Sequence, residues 1–348
     1  MDTLQVGQTV PKVHKTEGIK KTKTPALSKC PLCHNHGVHP LHEKITPQFD
    51  LLECGLCDGV FLDLQGASTA TFYDDTYYPQ EPLLFERMDA WARFRQLSRI
   101  LPPQSRVLEI GCGHGLTLQK LKQAGHHVSG TEFSSHAASY AKDRLKIPMH
   151  VGSVDQLPVT DETFDLITLY HVLEHLEHPQ TVLTRLHSML KPTGHLLLEV
   201  PNYRSAFSRW FKSCWFHLDV PRHVFHYGKR SLIQILARSG YSIETCKTRY
   251  FLYDVFGNCQ SFLNKHLQTQ QVLNGKEVQV SLTLDTLLRS PREFLETLAA
   301  RALFPILFVA FSAIQAVFTA LRLEGGTLTI VAKPIQRSSS RYPSPIRV

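Results

Sequence analysis

The stretch Arg106-Val-Leu-Glu-Ile-Gly-Cys-Gly-His-Gly115 constrains the fold of this chain more than any other. Val107 to Ile110 reads as a buried strand that runs straight into a glycine-rich turn, and Leu116 to Ala124 as a helix opening directly behind it. Glycines let backbone approach a ligand closely, and free N–H groups at a helix start favour anionic groups. Strand, turn and helix start in that order form a nucleotide-cradling arrangement. Dinucleotide sites space their glycines as G-x-G-x-x-G. Here they fall at Gly111, Gly113 and Gly115, and Leu116 stands where that pattern wants glycine. A second short strand, His127 to Thr131, ends at Glu132. A carboxylate about 20 residues beyond such a turn grips a ribose diol in doubly wound nucleotide folds.

These residues resemble the class I S-adenosylmethionine-dependent methyltransferases, and more narrowly their ubiquinone-methyltransferase-like bacterial members. Glu109 with Gly111-Cys-Gly-His-Gly115 is similar to the family's first motif, and Glu132 to its ribose-binding acid. The resemblance implies an α/β fold, a Rossmann-like seven-stranded sheet with helices on both faces. It implies S-adenosylmethionine as cofactor, held by Glu109, Gly111, Cys112, Gly113, Gly115, Glu132 and Phe133. Gly152-Ser-Val-Asp155 through Leu157-Pro158 resembles the adenine-pocket loop. Many members carry an acid directly after that glycine. Here it is Ser153, which leaves adenine recognition to Ser153, Val154 or Asp155. The bland alternative for the glycine-rich turn is packing alone.

The pattern beyond the turn supports such a sheet. Ser134 to Leu145 reads as helix, Met149 to Gly152 as strand and Phe164 to Leu169 as strand. Pro179 to Leu190 reads as helix, and the Lys191-Pro-Thr-Gly194 turn leads to a strand, His195 to Val200. Lys229 to Ser239 follows as helix and Ile243 to Tyr250 as strand. This alternation predicts a mostly parallel sheet. The family likeness places a last strand, Gly326 to Ala332, antiparallel between the fifth and sixth.

Ahead of this core stand Cys30-Pro-Leu-Cys33 and Cys54-Gly-Leu-Cys57. Two C-x2-C pairs at this spacing fit a four-thiolate zinc ribbon over residues 30–64, with Phe49 to Glu53 and Val60 to Leu64 as its strands. A redox pair would sit beside a βαβ unit, and neither does. His34, His36, His39 and His42 lie between the pairs and are expected to face solvent. So small a ribbon has little core, so the metal is expected to hold it folded. Residues 1–29 and 335–348 read as disordered tails that carry part of the net charge of +8. The polar first 29 residues lack an apolar export segment, which gives a cytoplasmic expectation and argues against disulfides for the eight cysteines. Residues 65–100 form a linker and an amphipathic helix, Leu83 to Ile100, with Leu84, Met88, Trp91, Leu97 and Ile100 on its apolar face. The methyltransferase core is then 101–250, a helical insertion 251–322, and the last core strand 323–334.

Two segments carry candidate chemistry. His171, Glu174 and His175 spell H-x-x-E-H, an inverted zinc-protease motif, but they follow a buried strand where ligands bind in open α/β sheets. The segment resembles the family's methionine-facing and substrate-facing stretch. His171 is therefore a candidate cofactor contact or general base, and Glu174 with His175 either binds a divalent ion or caps a helix. The run Asp219-Val-Pro-Arg-His223 lies in an aromatic, ionisable stretch that reads as a substrate lid. It resembles a segment of a bacterial subset of the family. His223 is a candidate base, and Arg222 either clamps an anion or pairs with Asp219.

Residues 251–300 are the least readable, apart from Ser290-Pro-Arg-Glu293, which starts a helix. Ala302 to Leu321 has no charge and is bracketed by Arg301 and Arg322. Strands of one sheet are expected on both sides of it, so a single crossing of a membrane is excluded. A re-entrant or interfacial helix, or burial in the protein or a dimer, remains. Pro305 predicts a break near its start, and Ser312, Gln315 and Thr319 share one face. The leading functional expectation is direct methyl transfer to a small-molecule, sugar or lipid-linked acceptor. The alternatives are an RNA methyltransferase that uses the ribbon, and a non-catalytic scaffold. The acids Glu43, Asp50, Glu53, Asp58 and Asp63 argue against nucleic acid as partner. Nothing in the sequence sets the oligomeric state.

Overall fold

The protein is described from a computed structural model covering residues 29–41, 50–64, 81–157, 163–248, 251–267, 291–321 and 323–336. Most of both expected tails and of the linker, together with Arg322 and Pro158, lie outside these residues. Strands β1 (Val38–Pro40), β2 (Leu51–Cys54) and β3 (Val60–Leu62) lie around the cysteine pairs. Then follow α1 (Leu84–Leu97), β4 (Arg106–Ile110), α2 (Leu116–Gln123), β5 (His127–Glu132) and α3 (Ser135–Ser139), which runs on as a wider turn over Tyr140–Arg144. Next come β6 (Met149–Val151), β7 (Phe164–Tyr170), α4 (Pro179–Met189), β8 (Leu190–Pro201), α5 (Ala206–Phe211), β9 (Phe225–His226) and α6 (Lys229–Arg238). The chain closes with β10 (Tyr241–Lys247), α7 (Phe251–Leu267), α8 (Pro291–Ala320) and β11 (Thr327–Pro334).

The main sheet has seven strands in the order β10-β11-β8-β7-β4-β5-β6. β4 to β8 pair in parallel, and β11 is antiparallel to both β8 and β10, as expected. The central strands carry unbroken apolar runs, Leu166-Ile167 in β7 and Leu196-Leu197-Leu198 in β8, all buried. A parallel strand covered on both faces requires such a run. Because β4, β5, β7 and β8 point the same way, their C-terminal ends share one rim, where ligands bind in open α/β sheets.

Several expectations are corrected. The Lys191–Gly194 stretch is no free turn: β8 already starts at Leu190, which pairs with Phe164 before the register shifts. Two helices unread in the sequence, α5 and α7, lie over the sheet. α8 runs unbroken through Pro305. Proline removes one donor and crowds the preceding turn, but Phe304, Leu307 and Phe308 on either side pack against the main core and hold the helix together. α1 turns the opposite way from its apolar pattern. Leu84, Met88, Trp91 and Ile100 are exposed, while Asp89, Ala90 and Leu97 are buried. Its inward face is thus partly polar, and that polarity belongs to the site described below.

The ribbon does not end with itself. β9 adds to β3 as a fourth antiparallel strand, pairing Val60 with His226 and Phe61 with Phe225. Leu32, Leu52, Val60 and Phe61 belong to the same buried cluster as Leu108 and Leu198 of the main sheet. Three arginines fasten it from the other side. Arg204 binds Glu53 and the Asp58 carbonyl, Arg230 lies 3.6 Å from the Asp58 carboxylate, and Arg238 donates to the Cys33 carbonyl at 3.3 Å.

Candidate active site

The glycine-rich turn has the geometry its spacing demands. Gly111, Gly113 and Gly115 have φ of 64°, 54° and 72°, the left-handed region that glycine enters without steric cost. A Cβ on Gly111 would stand 2.6 Å from Val172, so the turn after β4 fits against the turn after β7 only with glycine there. Glu132 ends β5 inside this crevice, almost fully buried. One carboxylate oxygen accepts from the Gly113 N–H at 2.8 Å and the other from the Ser134 N–H at 2.9 Å. Burial pushes its carboxyl above the ordinary range, opposed by those backbone donors. Phe133 beside it is exposed, Val154 is buried and Ser153 half-buried. The Asp155 side chain lies outside the described set. Cys112 contacts the Met149 sulfur at 3.8 Å, and burial keeps it a thiol.

α1 contributes what the sequence reading missed. Its buried face brings Arg93 over the Tyr170 ring, 3.9 Å from the centroid, with Asp89 at 2.9 Å and Glu199 at 4.0 Å. Glu109 and Glu199 flank this cation. Burial pushes Glu109 up to about 8 and Glu199 up to about 7, with Arg93 pulling both the other way. One guanidinium thus sits among three acids at the sheet rim. The only trace in the sequence is polar residues at helical spacing, Asp89, Arg93 and Glu86, on what proves to be the inward face.

The other side of the rim is built from the turn after β7, the segment 214–226 and α7. His171 follows β7 with φ of 54°, a costly conformation for a residue with a side chain. Its backbone N–H donates to the Glu199 carbonyl at 2.9 Å. The imidazole stacks on Tyr253 of α7 at 4.0 Å and lies 6.2 Å from the His217 ring. Phe85, Phe216 and Phe256 surround Tyr253 and His217. Gly257 lets α7 come this close, since a Cβ there would stand 2.4 Å from His217 Nε2. Burial and the nearby Arg93 draw His171 down to about 3, so it is neutral at neutral pH. Its Nδ1 is 3.3 Å from Glu174 Oε1, and Glu174 is itself raised to about 7 by burial. This is a contact between a neutral imidazole and a carboxyl close to its titration point.

Glu174 adjoins both histidines expected to act as bases. It is fully buried, and neither carboxylate oxygen makes a hydrogen bond of good geometry among the described residues. With His175 and His223 it offers ligand atoms that all lie within 4.8 Å of one another. His175 Nδ1 pairs with the Arg222 carbonyl at 3.1 Å, and His223 Nδ1 with the His217 carbonyl at 2.8 Å. A carbonyl accepts only from N–H, so these contacts set an Nδ1–H of each ring against a backbone carbonyl, an arrangement common behind metal-bound imidazoles. The sequence left Arg222 open between clamping an anion and pairing, and the structure has it paired: it binds Asp219 through Nε and Nη2. The H-x-x-E-H run is no protease helix, since only Leu173–His175 form a short turn and His171 stands outside it.

The four ribbon cysteines are buried free thiols, with Cys30–Cys57 and Cys33–Cys54 sulfurs 3.6 Å apart. A tetrahedral zinc with Zn–S bonds of about 2.3 Å sets its sulfurs ~3.8 Å apart, so the cluster fits.

Residues 84–245 match the family model for a methyltransferase domain. The ubiquinone biosynthesis O-methyltransferase of Xanthomonas campestris pv. campestris is 29% identical over 149 residues, 40% of this chain and 60% of that protein. A probable S-adenosylmethionine-dependent methyltransferase of Mycolicibacterium smegmatis is 25% identical over 142 residues, 40% of this chain and 52% of that protein. The chain thus spans little more than half the length of these curated relatives. Among solved structures, coclaurine N-methyltransferase bound to N-methylheliamine and SAH superposes with a TM-score of 0.47 at 15% identity, covering 74% of this chain and 76% of that one. Residues 84–245 carry the motif, most of the sheet and the family match together, and this part of the chain is a class I S-adenosylmethionine-dependent methyltransferase domain.

Proposed function

We propose that the chain transfers a methyl group directly from S-adenosylmethionine to an oxygen or nitrogen nucleophile on an apolar small-molecule, sugar or lipid-linked acceptor. When bound, the cofactor supplies an electrophilic methyl carbon; the S–CH3 bond breaks as the acceptor's new bond to carbon forms, and sulfur keeps the electron pair. The chain's own residues supply position and a place for the proton. Glu132 and the Gly111–Gly115 turn would hold the ribose end, Ser153 and Val154 the adenine side, and Arg93 with Glu109 the end near the sheet rim. His171 is the group we assign to the acceptor proton: its imidazole is neutral, and Glu174 backs its Nδ1 at 3.3 Å. A proton acceptor placed this way contributes about 100-fold or more. The aromatic wall of Tyr253, Phe85 and Phe256 against His171 is the observation that carries the reading, because it suits a planar or apolar acceptor. The ribbon argues against nucleic acid, since its acids Glu53 and Asp58 stand on the face that binds arginines of the core. We assign Cys30, Cys33, Cys54 and Cys57 one structural zinc, and Glu174, His175 and His223 fit a divalent cation that would orient the acceptor oxygen.

The test is transfer of labelled methyl from S-adenosylmethionine to cell extracts split into organic-soluble, aqueous and RNA fractions. Label in the organic-soluble fraction supports the reading, and label in RNA replaces it with the ribbon-guided alternative. Cofactor binding with no labelled fraction would leave the scaffold.

A further inference from the structure

We infer that the outer face of α8 is a seat for the surface of an anionic bilayer. The helix has 30 residues, about 45 Å at 1.5 Å per residue. A surface helix normally turns its polar side outward, and α8 does the reverse. Gln315 points inward and donates to Asp254 at 2.9 Å, and Asp254 also accepts from Thr327 at 2.7 Å. Phe304, Leu307, Phe308, Phe311 and Phe318 face the core. Between 302 and 321 every exposed residue is apolar except Thr319, whose hydroxyl donates to the Gln315 carbonyl. Ile306 is 66% and Val309 70% exposed, with Leu303, Ile314, Val317 and Leu321 along the same side.

That surface discriminates between occupants. A protein partner needs about one hydrogen bond per 100–200 Å² and a polar rim, and among the described residues between 302 and 321 the only exposed polar side chain is Thr319. Hydrocarbon needs none. The flanks carry what a headgroup layer attracts. Trp210 is 55% exposed, stacks on Phe211 at 5.0 Å, and has the Lys265 ammonium 6.0 Å from its ring. Exposed Arg209 and Lys212 stand beside it in sequence, and exposed Arg301 precedes the apolar face. Phe207, which packs on Phe318 of α8 at 5.1 Å, ties this cationic and aromatic edge to the helix.

The topology sets the mode of contact. β10 precedes α7 and α8, β11 follows them, and the two strands pair along their length from Tyr241–Pro334 to Lys247–Thr329. Both ends of the excursion therefore return to one sheet, so α8 lies on the bilayer and does not cross it. α7 stands between this face and the site. Tyr253 meets His171 on one side, while Phe256 and Leu263 meet α8 on the other. Packed helices are about 8–10 Å apart. An acceptor dissolved in the leaflet would thus reach the aromatic wall across one helix layer; this last clause alone rests on the methyl-transfer reading.

Flotation of the full chain with phosphatidylcholine vesicles, with and without phosphatidylglycerol, tests the seat. The chain should float with the vesicles, more so with the anionic lipid and less at high salt. Brominated acyl chains should quench its tryptophan fluorescence. Ile306→Glu with Val309→Glu and Val317→Glu should cut the bound fraction about tenfold or more, since each removes apolar surface from the seat and adds a charge that the anionic lipid repels, while S-adenosylmethionine affinity holds. If that variant misfolds, quenching of the unaltered protein decides. A chain that stays in the dense bottom fraction with both vesicle types overturns the inference. If it is then a dimer broken by the triple substitution, a second copy is the occupant. If it is a monomer soluble without detergent, the face is covered from within the chain. Absence of any methyl transfer would leave the flotation result untouched.

Discussion

The two halves of the rim are built by different rules. The cofactor half is local: one strand, one turn, one helix and one acid, all within Arg106 to Glu132. Its contacts are backbone N–H groups and glycine conformations, which a short run of sequence can specify alone. The acceptor half draws His171 from β7, His217 and His223 from the lid, Tyr253 from α7 and Phe85 from α1. The ribbon braces that half, and among the described residues no backbone–backbone hydrogen bond ties it to the glycine turn. β3 pairs with β9, two residues after His223, and the Leu62 N–H donates to the Val224 carbonyl at 2.8 Å, while the Val224 N–H donates to the Glu174 carbonyl at 2.8 Å. A local half should tolerate injury elsewhere, and an assembled half should fail whenever one of its segments comes loose.

The sharpest break between them is removal of metal. Metal analysis should find one zinc per chain in the unaltered protein and none in Cys54→Ser, whose turnover should fall by more than ~100-fold, because the strand that positions His223 and Glu174 loses its support. S-adenosylmethionine affinity by titration calorimetry should stay within about threefold, below the ~1.4 kcal/mol that marks a tenfold change. Loss of both in a protein still folded by circular dichroism would show that the halves are one unit. His171→Ala should slow turnover about 100-fold with cofactor affinity unchanged. If it weakens the cofactor equally, His171 belongs to the cofactor half. Glu132→Ala should do the opposite, weakening the cofactor by about 1–3 kcal/mol, the scale of a lost charged hydrogen bond. Unchanged affinity there would leave Glu132 only its structural role, tying Gly113 to Ser134.

The same contrast explains what could be read in advance. Gly111, Gly113, Gly115, Glu132 and the mostly parallel sheet are legible because each follows from local backbone chemistry or from alternation of elements, whereas the place of the antiparallel last strand came from the family likeness. Arg93 was not, because it breaks the rule used to find it: α1 was expected to bury Leu84, Met88 and Trp91, and it buries Asp89 instead and holds Arg93 over Tyr170. A helix that serves a site turns its polar side inward, and periodicity alone assigns that side to solvent. β9 escaped notice because a two-residue strand has no pattern; only its distant partner, the ribbon, defines it. α7 was hidden because its aromatic residues serve two layers at once, so no single stripe stands out.

The smallest expected effect concerns the pH dependence of stability without ligands, and it separates the acids at the rim from the buried histidines of the acceptor half. Burial raises Glu109 to about 8 and Glu199 to about 7 from an ordinary 4.5. Between those values the folded protein holds protons that the unfolded chain has released. Stability from these two groups is therefore complete below pH 4.5 and lost as pH rises through 7 to 8. Burial lowers His171 to about 3 and His226 to about 4 from 6.5, so their contribution is complete above 6.5 and lost as pH falls toward 4 and 3. Between 4.5 and 6.5 the two slopes oppose each other. Above 6.5 only the carboxyl slope remains. The melting temperature should thus be nearly level from pH 5 to 6.5 and fall by pH 8.5, by at least ~2–4 °C, which corresponds to about 1 kcal/mol for a domain of this size. Glu109→Gln with Glu199→Gln should shrink that alkaline fall and leave the histidine slope less opposed between pH 4.5 and 6.5, so that the melting temperature climbs across that range, as a thermal scan at each pH would show. A melting temperature that rises from pH 6.5 to 8.5 would mean that both carboxyls are already ionised in the fold, held so by Arg93.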